Sequence, residues 1–207
     1  MIHEASLGRA LVFVDYRGMG ESAEPCSRAV NFAAYREATR ALWGESAVED
    51  LVRAMPDDAG RAFLLAGGAG DAWVAERHVI ALGDAAWDGP CGRDRATFHR
   101  WVDHMIDYGF GRVRRVLLSL ANPPMLLRRA PDLWREDHTH GTFGYVPLAV
   151  DSARITLRDH PYIDSPVQRD AFAEALRHAM SLCNIRGVTA EETPAPRGAL
   201  YVVLRWS

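Results

Sequence analysis

SPVQRDAFAEALRHAMSLCN, residues 165 to 184, carries the most complete secondary-structure pattern in the chain. Its apolar residues recur at the helical period and its polar residues fill the opposite face, which is typical of one amphipathic helix. Ser165 is placed to cap this helix, Pro166 suits its first position, and Gln168 completes a capping box. The apolar stripe consists of Val167, Ala171, Phe172, Ala175, Leu176, Ala179, Met180 and Cys183.

Strand-like runs lie on both sides of this helix in the sequence. A helix with one apolar face needs a partner layer, and strands that are adjacent in sequence are the nearest one available. We therefore predict an α+β unit over residues 142 to 206. Its strands are predicted in ARITLRD (residues 153 to 159), IRGVTAEE (185 to 192) and ALYVVLRW (199 to 206).

The chain before this unit is dominated by helical patterns. These patterns predict a single domain at residues 30 to 206, with a helical half at 30 to 137 and an α+β half at 138 to 206. An N-terminal strand and extension are predicted at residues 1 to 29. Within AFLLAGGAGD, residues 62 to 66 fit a strand or a helix end equally well, and the glycines after them predict a loop. The predicted helices cover about 32 to 43, 46 to 55, 73 to 87, 95 to 121, 124 to 129 and 131 to 135, and HTHGTFG at 138 to 144 is predicted to be a loop.

Composition narrows the class of protein. The chain has 24 basic and 27 acidic residues, a formal net charge of −3, which gives no electrostatic footprint for nucleic acid. Cys26, Cys91 and Cys183 lie far apart, so neither a disulfide framework nor a cysteine-based zinc site is indicated. The first residues lack a signal-peptide pattern, and the longest apolar run is broken by two prolines. We expect a cytoplasmic protein without a membrane span.

LVFVDYRGMGES, residues 11 to 22, looks like the Asp-x-Arg-Gly-x-Gly-x-Ser turn of α/β-hydrolases. LLAGGAGD follows where the nucleophile elbow of that fold would lie. An elbow needs a hydroxyl nucleophile, and Gly68 occupies its place. A degenerate hydrolase-like enzyme is therefore an alternative that the decisive residue disfavours.

Histidines provide a weak metal signal. His138 and His140 alternate in a predicted loop beside two acidic residues, but a metal site needs three or four converging ligands. His99 and His104 share a helix face with Asp103 and Asp107, which favours an ion-paired or solvated surface. We expect no bound metal, with His138 and His140 as the only loop candidates.

Aromatic and methionine residues are frequent in the helical half and are compatible with either a solid core or an apolar ligand cavity. Methionine suits an adaptable cavity wall. The junction between the predicted helix at 95 to 108 and the segment 113 to 134 is the place where such a cavity would lie. Its candidate residues are Phe98, Trp101, Met105, Leu117, Leu118, Met125 and Trp134.

Several landmarks occur in a recognisable order over residues 32 to 206. They are the helical hairpin REATRALWGESAVEDLVRAMP, the Trp of DAWVAERH, the segment FGRVRRVLLSLANPPMLLRRAPDLWR and the closing strand YVVLRW. Together they resemble the bacterial heme-NO-binding-like and 4-vinyl-reductase-like group, and within it a set of uncharacterised bacterial proteins. The resemblance implies N-terminal helices packed on a small antiparallel sheet that is crossed by a long helix, a fold shared with transport-particle subunits. It also implies a small apolar or tetrapyrrole ligand between the layers.

The chain departs from the binding motifs of that group. Its heme-binding members use a proximal His before a proline-containing turn, and LLSLANPP has none. Of their Tyr-x-Ser-x-Arg motif only Ser152 and Arg154 are present, with Val150 in place of Tyr. The vinyl-reductase-like members bind zinc through clustered cysteines, which this chain lacks.

These observations predict a non-enzymatic domain that senses a small apolar molecule or binds a signalling protein, with no cofactor. A heme-based gas sensor that uses an unconventional ligand such as His99, His104 or His138 is the alternative. The candidate partners are an apolar small molecule, a signalling protein and a second copy of the chain.

Overall fold

The computed structural model describes residues 24 to 66, 72 to 119 and 122 to 207, with the backbone alone at 110 to 119. The fold is α+β, as predicted, with helices packed against a four-stranded antiparallel sheet. The elements are β1 Cys26–Arg28, α1 Val30–Trp43, α2 Glu45–Ala54, α3 Asp58–Ala66, β2 Trp73–Ala75, α4 Glu76–Asp88, α5 Arg95–Ser119, α6 Pro123–Asp137, β3 Thr142–Ala149, β4 Ser152–Arg158, α7 Pro166–Ser181, β5 Thr189–Thr193 and β6 Leu200–Arg205.

The main sheet has the strand order β3-β4-β6-β5, and every neighbouring pair is antiparallel. Side chains alternate across a strand, so one face of the two central strands collects the apolar residues. Ile155 of β4 pairs with Val202 of β6, and Leu157 pairs with Leu200. All four are at most 1% exposed, which makes this face the floor of one hydrophobic core.

Helix α7 lies between that sheet and the helices. Phe172, Leu176 and Met180 pack on the sheet core, whereas Val167 and Ala171 pack on the helical core. The predicted helix is confirmed, but its predicted capping box is wrong. Ser165 occupies the N-cap position without a side-chain hydrogen bond. The amide of Gln168 instead reaches α4, where it donates to Asp84 across 3.1 Å.

The helical core is built around two buried aromatic side chains of α5. Phe98 is 0% exposed and Trp101 is 1% exposed. Trp87 of α4 meets Phe98 edge to face, and Tyr35 of α1 packs on Trp101 with ring centroids 5.0 Å apart. These contacts tie α1, α4 and α5 into a second hydrophobic core.

Three local predictions need correction, and one open alternative is resolved. Residues 62 to 66, which fitted a strand or a helix end, form the end of α3. The helix predicted from Trp73 begins at Glu76, because the three residues before it pair with β1 in a two-stranded sheet. The two short helices predicted around Pro131 are one helix, α6, capped by Asn122, whose side chain accepts from the Met125 amide across 2.9 Å. The predicted loop at 138 to 144 is shorter, because β3 already starts at Thr142.

Several predictions fall outside the described residues. They are the N-terminal strand, the hydrolase-like turn at 11 to 22, the glycine loop after Ala66, and the side chains of Leu117 and Leu118. Among the described helices, none is long and apolar enough to cross a membrane.

Candidate functional site

Four ionisable side chains meet where the helical half joins the α+β half. We call Glu76, His138, His140 and His160 the junction cluster. Glu76 is the first residue of α4, and His138 and His140 lie in the turn between α6 and β3. His160 follows β4, with its backbone amide bonded to the Gly198 carbonyl across 3.2 Å.

Strand β1 holds two of these segments together. The amide of Thr139 donates to the Cys26 carbonyl across 2.9 Å, and Ser27 forms an isolated β-bridge with His138. On the other side, the amide of Glu76 donates to the Pro25 carbonyl across 2.7 Å. The short strand therefore fixes both the start of α4 and the turn after α6.

The polar atoms of the cluster are close together and largely shielded from solvent. Nε2 of His140 lies 3.2 Å from Nε2 of His160, which in turn lies 3.9 Å from Oε1 of Glu76. The other carboxylate oxygen of Glu76 accepts a hydrogen bond from the Ser27 hydroxyl. Glu76 and His160 are each 4% exposed.

Burial sets the protonation of the cluster. It lowers the pKa of His138 and of His160 to about 3, and the pKa of His140 to about 4. It also raises the pKa of the Glu76 carboxyl to about 7, although the Ser27 hydrogen bond opposes this shift. All three imidazoles are therefore neutral near pH 7 and keep a lone pair that can bind a metal.

The hydrogen bonds assign a tautomer to each of two imidazoles. The Tyr162 amide donates to Nδ1 of His160 across 3.3 Å, which places the His160 proton on Nε2. That proton then points at Nε2 of His140, so His140 carries its own proton on Nδ1, a buried nitrogen with no hydrogen-bond partner among the described residues.

Trp134 of α6 organises the turn that carries two of the histidines. Its ring stacks on His138 with centroids 3.6 Å apart and planes 3° from parallel. Its indole N–H donates to the His140 carbonyl across 2.8 Å. Three residues that the sequence singled out, Trp134, His138 and His140, are thus brought together, whereas Glu76 and His160 were not anticipated.

The other predicted cavity residues lie elsewhere. Phe98 and Trp101 belong to the helical core, and Met105 packs against it, whereas Trp134 packs on the sheet core. Met125 is 46% exposed on α6. The structure therefore divides the described members of this set between two cores and the surface.

The remaining candidate histidines lie on α5. His99 Nε2 is 2.9 Å from Asp170 of α7, and His104 is exposed. Further along the same two helices, Arg177 Nη2 is 3.2 Å from Asp103, and His178 Nε2 is 3.0 Å from Asp107. The polar face of α5 is therefore ion-paired with the polar face of α7, which agrees with the ion-paired surface predicted for His99.

One cleft of about 430 Å³ lies near the start of both helices. Four charged side chains dominate its wall, and they are paired as Arg95 with Asp170 and Arg169 with Glu192. Such a wall suits a polar molecule, whereas a heme needs a mainly apolar one.

Comparison with known proteins places the fold. No protein-family model matches the chain, and no curated protein matches its sequence. Solved structures of H-NOX domains do match in three dimensions. An oxygen-binding H-NOX domain related to soluble guanylate cyclases superposes with a TM-score of 0.61 at 11% identity, over 86% of this chain and 94% of that one.

Two further H-NOX structures agree. An unliganded Fe(II) H-NOX protein from K. algicida gives a TM-score of 0.60 at 9% identity, over 87% of this chain and 96% of that one. A structure from a study of heme distortion in the H-NOX family gives a TM-score of 0.61 at 11% identity, over 86% of this chain and 94% of that one. The chain has the H-NOX fold, in line with the resemblance seen in the sequence.

Matched H-NOX structures are described as heme proteins, so the donor set of this chain can be compared with what heme requires. Heme iron in sensors and globins is held by a neutral imidazole, and the junction cluster offers three. Val150 is 92% exposed at the β3–β4 turn, and Arg154 is exposed on the outer face of β4. The axial donors therefore fit, whereas this remnant of the propionate motif lies on the outside of the sheet.

Proposed function

We propose that this chain is a non-enzymatic sensor domain for a small gaseous ligand, with a histidine of the junction cluster as the ligand of a heme. The observation that carries the proposal is the set of three neutral, shielded imidazoles at the junction of the two halves, in a fold shared with heme-containing domains. This corresponds to the alternative drawn from the sequence. The predicted apolar cavity has less support, because its described members fall in separate cores.

His138 is the best candidate for the axial ligand. The Nε2 atoms of His140 and His160 are hydrogen-bonded to each other, whereas His138 donates its Nδ1–H to the Trp134 carbonyl across 3.3 Å. A bond at Nδ1 and stacking on Trp134 would orient the ring and leave Nε2 for iron. When bound, the heme would supply an iron atom that coordinates a diatomic gas.

The surroundings of His138 suggest how such binding would be transmitted. The residue after it is bonded to β1, which also anchors the start of α4, and Trp134 links the turn to α6. A displacement of the turn would therefore reach both halves of the domain.

Hemin reconstitution tests the proposal. We expect the purified chain to show a Soret band after addition of hemin, and His138→Gly to lose it. Added imidazole should restore the band in that variant, which separates loss of the ligand from loss of the fold. His104→Gly, which changes an exposed residue of α5, serves as the matched control. A wild-type chain without a Soret band, or a band that survives in His138→Gly, would contradict the proposal.

A further inference from the structure

We propose that Glu76, His140 and His160 form a site for one divalent first-row transition-metal ion, separate from any heme. The three side chains come from the start of α4, the turn after α6 and the segment after β4. Their ligand atoms all lie within 4.8 Å of one another. The proposal does not depend on the sensor role, because it concerns a different set of donors and a different ion.

The distances are close to those of a bound ion. Metal–nitrogen bonds of 2.0–2.1 Å in a tetrahedral site put neighbouring ligand atoms about 3.3 Å apart. The two Nε2 atoms of His140 and His160 are already 3.2 Å apart. Oε1 of Glu76 is 3.9 Å from Nε2 of His160, and no two ligand atoms of the set are more than 4.8 Å apart, so the carboxylate must move toward the two histidines by a side-chain rotation.

Electrostatics favours a cation at this point. A buried carboxylate is costly unless positive charge or several hydrogen bonds compensate it. The Glu76 carboxylate accepts a hydrogen bond from the Ser27 hydroxyl and lies 3.9 Å from the His160 imidazole. The neighbouring Arg77 points away and pairs with Glu24. A divalent ion between Glu76 and the two histidines would supply the missing positive charge.

The supporting contacts orient the donors. Ser27 binds Oε2 of Glu76, which leaves Oε1 for a metal. The indole of Trp134 fixes the backbone of His140 by donating to its carbonyl across 2.8 Å.

One rearrangement accompanies binding. His160 carries its proton on Nε2 in the ion-free protein, and this atom must bind the metal. The proton therefore moves to Nδ1, at the expense of the long hydrogen bond from the Tyr162 amide at 3.3 Å. The hydrogen bond between the two Nε2 atoms is also given up, and two metal–nitrogen bonds replace these two contacts.

Two histidines and one carboxylate leave at least one coordination position for water or a small exogenous ligand. This donor set is found in zinc sites with an open position and in non-heme Fe(II) sites. The structure therefore assigns nitrogen-and-oxygen chemistry of the zinc and iron type to the site, as distinct from a Ca²⁺ or Mg²⁺ site made of oxygen atoms alone.

Cobalt titration of the full chain, purified without heme and stripped with a chelator, tests the site. We expect one Co²⁺ per chain, with visible d–d bands of a low-coordinate ion, and displacement of Co²⁺ by Zn²⁺. Glu76→Gln keeps the shape of the side chain and an acceptor for the Ser27 hydroxyl but removes the charge. Loss of an outer-shell partner alone costs about 10–100-fold in metal affinity, so we expect loss of this direct ligand to weaken binding by at least that much. Glu49→Gln, on the exposed face of α2, is the matched control.

A second readout guards against misfolding of the variant. An ion that binds only the native state raises the melting temperature, and this rise should occur in wild type and in Glu49→Gln but not in Glu76→Gln. Absence of one-to-one binding, or equal binding by the two variants, would overturn the proposal. The Soret measurement on His138→Gly is read independently, so either proposal can fail alone.

Discussion

Trp101 of α5 donates its indole N–H to the hydroxyl of Thr39 of α1 across 2.9 Å, and both residues are buried. The Thr39 hydroxyl in turn donates a hydrogen bond to the Tyr35 carbonyl across 2.8 Å. A polar chain thus crosses the contact between α1 and α5 inside the helical core. A buried indole N–H without a partner is costly, so this contact helps to set how the two helices fit together.

Thr39→Val should therefore destabilise the protein although it preserves shape. We expect a loss of about 1–3 kcal/mol in the free energy of unfolding, because the Trp101 N–H loses its acceptor. Urea denaturation of Thr39→Val, Trp101→Phe and the double variant measures the coupling. Additive effects of the two substitutions would show that the hydrogen bond contributes nothing.

Trp101→Ala should be severely destabilising. The indole is 1% exposed and contacts the rings of Tyr35 and Phe98, so its removal leaves a cavity in a packed core. We expect a loss of about 3–5 kcal/mol, measured by urea denaturation. Met125→Ala, at a position that is 46% exposed, should lose much less. A mild effect at Trp101 would instead favour a hollow junction of the kind considered from the sequence.

Removal of β6 should abolish solubility. This strand lies between β4 and β5, so deletion of residues 200 to 207 takes away an interior strand and leaves two unpaired edges. It also uncovers the sheet face of α7. The soluble fraction after expression reports the effect, with Arg205→Ala as an exposed control on the same strand. A soluble truncated chain with a cooperative melt would be incompatible with this sheet.

The polar contact between α5 and α7 should make stability depend on pH. Burial first, and then the hydrogen bond and charge of Glu174, raise the pKa of Asp103 to about 6, against the opposing charges of His178 and Arg177. An unfolded Asp titrates near 3.9, so the native state holds this proton more tightly. The resulting stabilisation is present at about pH 4 and below, and is lost as the pH rises through 6.

Asp103→Asn cannot titrate and provides the comparison. Relative to this variant, the wild-type chain should lose stability between about pH 4 and pH 6. Glu174, whose pKa is shifted in the opposite direction, is present in both proteins. Urea denaturation of the pair at several pH values checks the expectation, and a difference that does not change with pH would refute it.

Local patterns were sufficient to predict the helix at 165 to 184 and the strands around it. Each has a clear apolar period, and the strands that α7 covers are its neighbours in sequence, whereas its contacts with α4 and α5 join distant segments. Pro131 misled the prediction because proline usually ends a helix. In α6 it lacks an amide N–H that could bond the carbonyl of Leu127, and the helix nevertheless runs on to Asp137.

The site was harder to predict because its members come from distant segments. His138 and His140 were recognised as candidates, but nothing near them in sequence supplies a third ligand. Glu76 was predicted in the first turn of a helix beginning at Trp73, whereas it is the first residue of α4. The strand before it, β2, has only three residues and is too short for its pattern to be detected. His160 follows a strand and precedes a proline, a combination that by itself suggests only a turn. Only the three-dimensional contact of both halves reveals the cluster.

The pairing of Cys26 with Thr139 joins residues that are 113 positions apart in the chain. Closing so long a loop costs much chain entropy before any contact forms, and such contacts generally form late in folding. We expect the junction to assemble only after the helices and the sheet have formed separately. A partly folded chain would then contain the histidines but not their arrangement. A metal ion or heme would therefore bind only at the final step of folding. Such binding would slow unfolding more than it speeds folding.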